Sequence, residues 1–146
     1  MKILAVAVFV LLSAIAALHV AWGFGLRWPA RNERELVATV IGAKQRVHLP
    51  GLAQCFAAAA AIFGAGCVAL LMSGLVDSLL PRHMLTIAGI VLLGVFALRG
   101  IAAYLPAWRN VFSQEPFARY DQLYYAPLCL FVALVFALLL IERLKS

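Results

Sequence analysis

The chain has 146 residues and a mass of 15.8 kDa, and 66% of its residues are hydrophobic whereas only 12% are charged. A chain this short leaves much of its surface exposed, and it has too few polar side chains to cover that surface in water. With a mean hydropathy of +1.01, the composition excludes a disordered chain and argues against a water-soluble domain. The net charge of +6 fits contact with anionic lipid headgroups, so we expect the bilayer and no nucleic acid as a partner.

Four apolar stretches are long enough to cross the roughly 30 Å hydrocarbon core of a bilayer. They cover residues 3–26, 51–76, 84–105 and 121–141. We therefore predict an all-α fold, an integral membrane four-helix bundle, as a single transmembrane domain over residues 1–146. Four spans place both ends of the chain on one side of the membrane.

A secretory signal peptide is the alternative interpretation of the first stretch. Lys2 provides a positive start, and Ala14-Ile15-Ala16 resembles a cleavage site. The apolar run continues past that site to Trp22, which is longer than a typical signal-peptide core. We therefore interpret this stretch as a retained helix.

The connection between the first two spans, residues 27–50, is the longest one and holds much of the charge. Within it, residues 36–42 are apolar and β-branched, and this pattern predicts a short strand pair or an interfacial flap. The face with the two longer connections carries seven basic residues outside the spans: Arg27, Arg31, Arg34, Lys44, Arg46, Arg109 and Arg119. The opposite face carries four: Lys2, Arg82, Arg143 and Lys145. The positive-inside rule then favours cytoplasmic long connections.

Small residues recur every four positions in the first two spans and predict close helix packing. The series are Ser13, Ala17, Ala21 and Gly25, and Ala57, Ala61, Ala65, Ala69 and Ser73. The same alanines would let a second copy pack against the bundle, so a homo-oligomer is among the expected partners.

Most of the unusual residues lie where the first and third spans end and the fourth begins. An ionisable side chain at that depth is costly unless it is paired or reaches the interface, and we therefore predict an ion pair between Arg99 and Asp121. The candidate ligand-binding residues at this face are Arg99, Asp121, His19, Trp22, Tyr125, Arg119 and Arg27. The other aromatic residues at the helix ends, including Trp28 and Trp108, are explained by an interfacial aromatic belt.

Motifs of several standard chemistries do not occur in the sequence. It contains no HExxH, P-loop, GxGxxG or GxSxG motif. The cysteines Cys55, Cys67 and Cys129 show no CxxC spacing, so we predict no metal site and no thiol–disulfide motif. No cofactor can be identified from these patterns.

Two motifs resemble a known family. The segments LHVAWGFGLRWPA (residues 18–30) and FARYDQLYYAPLCL (residues 117–130), with the pair Arg99-Gly100, are similar to the DUF3995 family of small bacterial membrane proteins of unknown function. The matching positions are His19, Trp22, Gly23, Phe117, Arg119, Asp121, Tyr125, Pro127, Leu128 and Cys129. The resemblance implies a four-span protein of a bacterial cell membrane and supports treating these positions as one site. Arg27, Trp28 and the charged first connection depart from the family pattern.

A second resemblance concerns the membrane-associated enzymes of eicosanoid and glutathione metabolism. Arg46-Val47-His48 is similar to the start of their second helix, but Leu49-Pro50-Gly51 stands where that family has Asn and Glu. Glutathione chemistry therefore has little support.

Three classes of function are compatible with these residues. In the leading one, the protein binds a hydrophobic or amphipathic, lipid-like ligand in a polar pocket at one membrane face. Arg99 would bind the anionic head, Asp121 would orient Arg99 or His19, and Tyr125 and Trp22 would line the pocket. The alternatives are a membrane-embedded enzyme with His19 or Asp121 as acid–base group, and a ligand-free scaffold or accessory subunit.

Overall fold

The structure is a computed structural model, and it describes residues 1–43 and 48–145. Regular structure in these residues is helical throughout, without a strand. Four helices are long and apolar enough to cross a membrane: Lys2–Gly23, Leu52–Met72, Arg82–Ala102 and Phe117–Lys145. The predicted all-α class with four spans is confirmed. Lys44, Arg46 and Val47, which entered the predictions on orientation and on the second resemblance, lie outside the described residues.

Seven α-helices and one π turn follow one another along the described chain. They are α1 (Lys2–Gly23), α2 (Glu33–Val40), α3 (Leu52–Met72), α4 (Arg82–Ala102), α5 (Pro106–Val111), α6 (Phe117–Tyr120), the π turn (Asp121–Tyr125) and α7 (Ala126–Lys145). The second predicted span extends four residues beyond the end of α3. The helix ends early because Gly74 adopts φ +67°, a left-handed conformation that suits glycine and terminates helices.

The prediction of a strand pair at residues 36–42 is wrong, because most of this segment forms helix α2, whereas the alternative of an interfacial flap stays a prediction. The Asn32 side chain caps the helix by accepting a hydrogen bond from the backbone N–H of Glu35 (2.9 Å). Leu36 and Val37 are fully buried on one side of the helix. Capping and burial therefore outweigh the β-branched composition, which is only a weak preference.

The membrane-spanning helices pack as two pairs around a shared core. The helix α1 packs mainly against α3, and α4 packs mainly against α7. Side chains from all four helices meet in the core, including Val8, Leu12, Met72, Leu85, Phe136 and Leu139.

Hydrogen bonds join the connections at each end of the bundle. At one end, the backbone N–H of Gln114 donates to the carbonyl of Gly42 (3.1 Å), which ties the two longer connections together. We call this end the loop face. At the other end, Arg143 donates to the carbonyls of Met72 (3.5 Å) and Arg82 (3.3 Å).

The small-residue series predict the packing faces only in part. Ala65 and Ala69 are buried as expected, but Ala57 and Ala61 are exposed. In α1 the buried residues are Ala5, Val8, Leu12 and Ala16, and Ala17 is exposed. Lipid does not penalise an exposed alanine, so the positions of the neighbouring helices decide which face is buried. Self-association through the exposed alanines stays a prediction.

Glycines bring α4 close to α7 near the loop face. A Cβ at Gly100 would lie 2.7 Å from Leu130 Cγ and 3.1 Å from the carbonyl oxygen of Ala126. A Cβ at Gly94, on the same helix, would meet no atom within 4 Å. The contact between α4 and α7 therefore requires a glycine at position 100 but not at position 94.

We expect Gly100→Ala to lower the free energy of unfolding by about 1–3 kcal/mol, because an added methyl group must displace Leu130. Gly94→Ala is the matched control, and it should be neutral or stabilising since alanine favours the helix. The measurement is unfolding of both variants in mixed micelles with increasing SDS, followed by circular dichroism. Equal stability of the two variants would contradict the close approach.

Candidate functional site

Asp121 is the one charged residue that is buried in the described part of the chain, with an exposed fraction of 2%. It begins the π turn, in which the backbone N–H of Ala126 donates to the carbonyl of Asp121. This i to i−5 bond is wider than the i to i−4 bond of an α-helix. Single π turns inside α-helices frequently occur at functional sites, so this turn marks Asp121 as a position of interest.

The predicted pair of Arg99 and Asp121 is present in the structure. Arg99 Nη2 donates to Asp121 Oδ1 at 2.5 Å. Trp108 Nε1 donates to Asp121 Oδ2 at 2.9 Å, and the Arg99 guanidinium lies 4.8 Å from the centre of the Trp108 ring. The three side chains thus hold one another in place and join α4, α5 and the start of the last span.

One donor of this cluster has no acceptor. Arg99 Nη1 is shielded from solvent and makes no hydrogen bond with any described residue, although the side chain as a whole is 29% exposed. An unpaired buried donor costs about 1–3 kcal/mol, and more when the group is charged. The guanidinium is therefore fixed by Asp121 and Trp108 with one nitrogen still able to donate.

A chain of aromatic rings runs from the cluster to Tyr125. Successive ring centres are 4.3 Å apart for Trp108 and Phe112, 6.1 Å for Phe112 and Phe117, and 5.8 Å for Phe117 and Tyr125. These rings supply an apolar wall beside the polar cluster.

The first connection covers the end of this wall. The Tyr125 hydroxyl donates to the carbonyl of Thr39 in α2 (3.1 Å). Gly42 is buried with φ +66°, and a Cβ at this position would overlap the Phe117 ring. We call α2 together with Ile41 and Gly42 the cap.

The sequence patterns did not indicate Trp108 or the cap residues Thr39 and Gly42. Trp108 was attributed to the aromatic belt, which explains any tryptophan near a helix end. Pro106 is the feature of the sequence that could have indicated Trp108. It occupies the first turn of α5, and a proline there favours the start of a short helix just before Trp108.

His19 and Trp22 make their contacts at the end of α1 and not with Asp121. His19 Nδ1 lies 2.9 Å from the carbonyl oxygen of Ile15, and its ring centre is 5.0 Å from that of Trp22. Trp22 Nε1 donates to the carbonyl of Trp28 (2.8 Å). The predicted joining of His19 to the Asp121 cluster has no supporting contact among the described residues.

Arg119 and Arg27 are also separate from the cluster, and both are exposed. Arg27 lines a surface recess together with Asn32, Glu33, Arg34 and His48. Of the predicted site residues, the structure therefore unites Arg99 and Asp121 and places Tyr125 along the adjoining aromatic wall.

The chemistry available to the cluster is hydrogen-bond donation. Both oxygens of Asp121 already accept hydrogen bonds, from Arg99 and Trp108. Within residues 1–43 and 48–145, no three His, Cys, Asp or Glu side chains are grouped as a metal site would require. Within the cluster, Arg99 Nη1 is the donor that makes no hydrogen bond with a described residue.

We expect Arg99→Met and Asp121→Leu each to lower the free energy of unfolding by about 3–5 kcal/mol, because each leaves the other charge buried and unpaired. The double variant should lose less than the sum of the two single losses, with a coupling of at least about 1 kcal/mol. The measurement is a double-mutant cycle in mixed micelles. Additive losses would show that the pair does not couple.

A second prediction concerns the cap. We expect Gly42→Ala to be less stable than Gly74→Ala by about 1–3 kcal/mol, because it adds a clash with Phe117 to the strain of a positive φ. Gly74 is the matched control, since its φ of +67° is nearly the same and a Cβ there meets no atom within 4 Å. Trypsin should also cleave Gly42→Ala faster after Arg31 and Arg34. Similar stability and cleavage of the two variants would contradict the docking of the cap on Phe117.

Comparison with known proteins identifies a family but no characterised relative. The family model described as "Protein of unknown function (DUF3995)" matches residues 5–136. No curated protein and no solved structure matches the chain. The match spans α1 to α7 and includes the cap and the cluster of Arg99, Trp108 and Asp121. The chain therefore belongs to the DUF3995 family, as its motifs at residues 18–30 and 117–130 predict.

Proposed function

We propose that this chain is a multi-pass protein of a bacterial cell membrane that binds a lipid-like, amphipathic ligand at the loop face. In this proposal Arg99 donates a hydrogen bond to an oxygen of the ligand's polar head. The observation that carries the proposal is the Arg99 Nη1 donor, which has no acceptor among the described residues.

The geometry around Arg99 favours a ligand over a purely structural role for that nitrogen. Asp121 and Trp108 fix the guanidinium, so little conformational entropy remains to be lost when an acceptor binds. An Arg in the last turn of a membrane-spanning helix lies near the depth of lipid headgroups. Acceptor oxygens at that depth belong mainly to the phosphate and ester groups of lipids.

The apolar part of the ligand has a matching surface. The rings from Trp108 to Tyr125 run beside the cluster, and the cap closes their far end through the bond from Tyr125 to Thr39. His19 and Trp22 make their contacts at the end of α1, and Arg27 and Arg119 are exposed, so the proposal places the ligand against Arg99 and these rings.

The second candidate is a ligand-free scaffold or accessory subunit. It is favoured by the two hydrogen bonds that Asp121 accepts from α4 and α5, which tie three helical segments together. The enzyme alternative, with His19 or Asp121 as acid–base group, stays a prediction.

Arg99→Lys separates the binding and scaffold candidates. Lysine keeps the positive charge beside Asp121 but lacks the forked donors of a guanidinium. We expect Arg99→Lys to fold and to retain at least about tenfold less of the specific lipid, the equivalent of one charge-assisted hydrogen bond. The measurement is mass spectrometry of lipids that co-purify with the protein in mild detergent.

Arg119→Gln is the control, because it removes an exposed arginine at the same face. It should retain the same lipids as the unmodified protein. If the unmodified protein and Arg99→Lys carry the same lipids while Arg99→Lys is correctly folded, the binding function is wrong and the scaffold is favoured.

A further inference from the structure

A surface recess in the first connection lies apart from the Arg99 cluster. Its volume is about 410 Å³, and it is lined by Arg27, Asn32, Glu33, Arg34 and His48. Recesses of roughly 300–1,000 Å³ are the usual size for small-molecule sites.

The recess has a surplus of positive charge. Among the described lining residues the one carboxylate is that of Glu33, and it is already engaged. Glu33 Oε1 accepts a hydrogen bond from the Leu49 backbone N–H (3.0 Å) and lies 3.4 Å from His48 Nδ1. This backbone hydrogen bond lowers the pKa of Glu33, with smaller contributions in the same direction from His48 and from the charge of Arg27. Glu33 therefore stays ionised at neutral pH and holds His48 at the wall of the recess.

The remaining polar groups of the recess are donors. Within residues 1–43 and 48–145, the guanidinium groups of Arg27 and Arg34 have no hydrogen-bonded acceptor and no carboxylate within ion-pair distance. Asn32 uses its side-chain oxygen to cap α2, so its amide nitrogen is left as a donor. Two guanidinium forks and an amide around one recess match the oxygens of a tetrahedral anion.

We propose that this recess binds a phosphate group, with Arg27 and Arg34 as the principal ligands and Asn32 as a further donor. The shared chemistry is that of a phosphate monoester or inorganic phosphate, whose oxygens can accept hydrogen bonds from both guanidinium groups. The inference goes beyond the proposed function, because it concerns other residues than Arg99 and a second position at the loop face.

The surroundings of the recess favour a lipid as the source of the phosphate. Phe24, Leu26 and Trp28 lie next to Arg27 in the chain and expose 74%, 50% and 61% of their surface. The carbonyl of Trp28 is held by the indole N–H of Trp22. Acyl chains of a lipid could lie along these apolar side chains while its phosphate occupies the recess.

The test uses the full chain in mixed micelles of phosphatidylcholine and phosphatidic acid, whose headgroup is a phosphate monoester. We expect phosphatidic acid to be enriched on the unmodified protein. The double variant Arg27→Gln/Arg34→Gln should lose this enrichment at least about tenfold, because it removes more than one charge-assisted hydrogen bond. The measurement is the ratio of the two lipids retained after purification, with circular dichroism to check folding.

The matched control is Arg109→Gln/Arg119→Gln, which removes two exposed arginines from the other long connection and should leave the enrichment unchanged. The proposed function is tested at Arg99 and this inference at Arg27 and Arg34, so failure of one is distinguishable from failure of the other. A parallel titration with inorganic phosphate separates the two sources of phosphate. If inorganic phosphate displaces phosphatidic acid, the free anion binds the same recess. If it does not, the recess requires the lipid. No enrichment together with no binding of inorganic phosphate, or equal losses in the two double variants, would overturn the proposal.

Discussion

The buried carboxylate of Asp121 imposes the main constraint on the loop face. An ionised carboxylate at this depth is tolerated only when its oxygens accept strong hydrogen bonds, and here both oxygens do so, from Arg99 and Trp108. These two donors come from α4 and α5, and Asp121 itself begins the π turn ahead of α7. The hydrogen bonds of this one side chain therefore fix the end of α4, the short helix α5 and the start of the last span.

Contacts at the loop face continue outward from the hydrogen bonds of Asp121. Trp108 is the first of the rings that continue through Phe112 and Phe117 to Tyr125. Tyr125 and Phe117 in turn receive the cap, through the carbonyl of Thr39 and the close contact at Gly42. The charged first connection is thereby attached to the bundle through an aromatic wall, although residues 27–43 and 48–50 contribute no hydrogen bond to Asp121.

The two proposed sites at this face use arginine in different electrostatic settings. Arg99 is neutralised by Asp121, so the cluster is suited to hydrogen bonding with a single headgroup oxygen at lipid depth. Arg27 and Arg34 surround a more exposed recess in which Glu33 offsets only part of the positive charge. The first setting favours orientation of an amphipathic molecule, and the second favours recognition of a multiply charged phosphate.

Composition and spacing predict the four spans, because in lipid a run of about 20 apolar residues is stable as a helix. They also predict the pairing of Arg99 with Asp121, since a charge inside a span needs a partner. Three features depend on contacts between segments far apart in the chain. These are the formation of helix α2, the hydrogen bond from Trp108 to Asp121 and the buried face of α1. β-Branched residues, an aromatic residue at a helix end and regularly spaced alanines are each compatible with several environments. Only the tertiary structure decided among these, because the position of a neighbouring segment sets which side chains are buried and which donors find an acceptor.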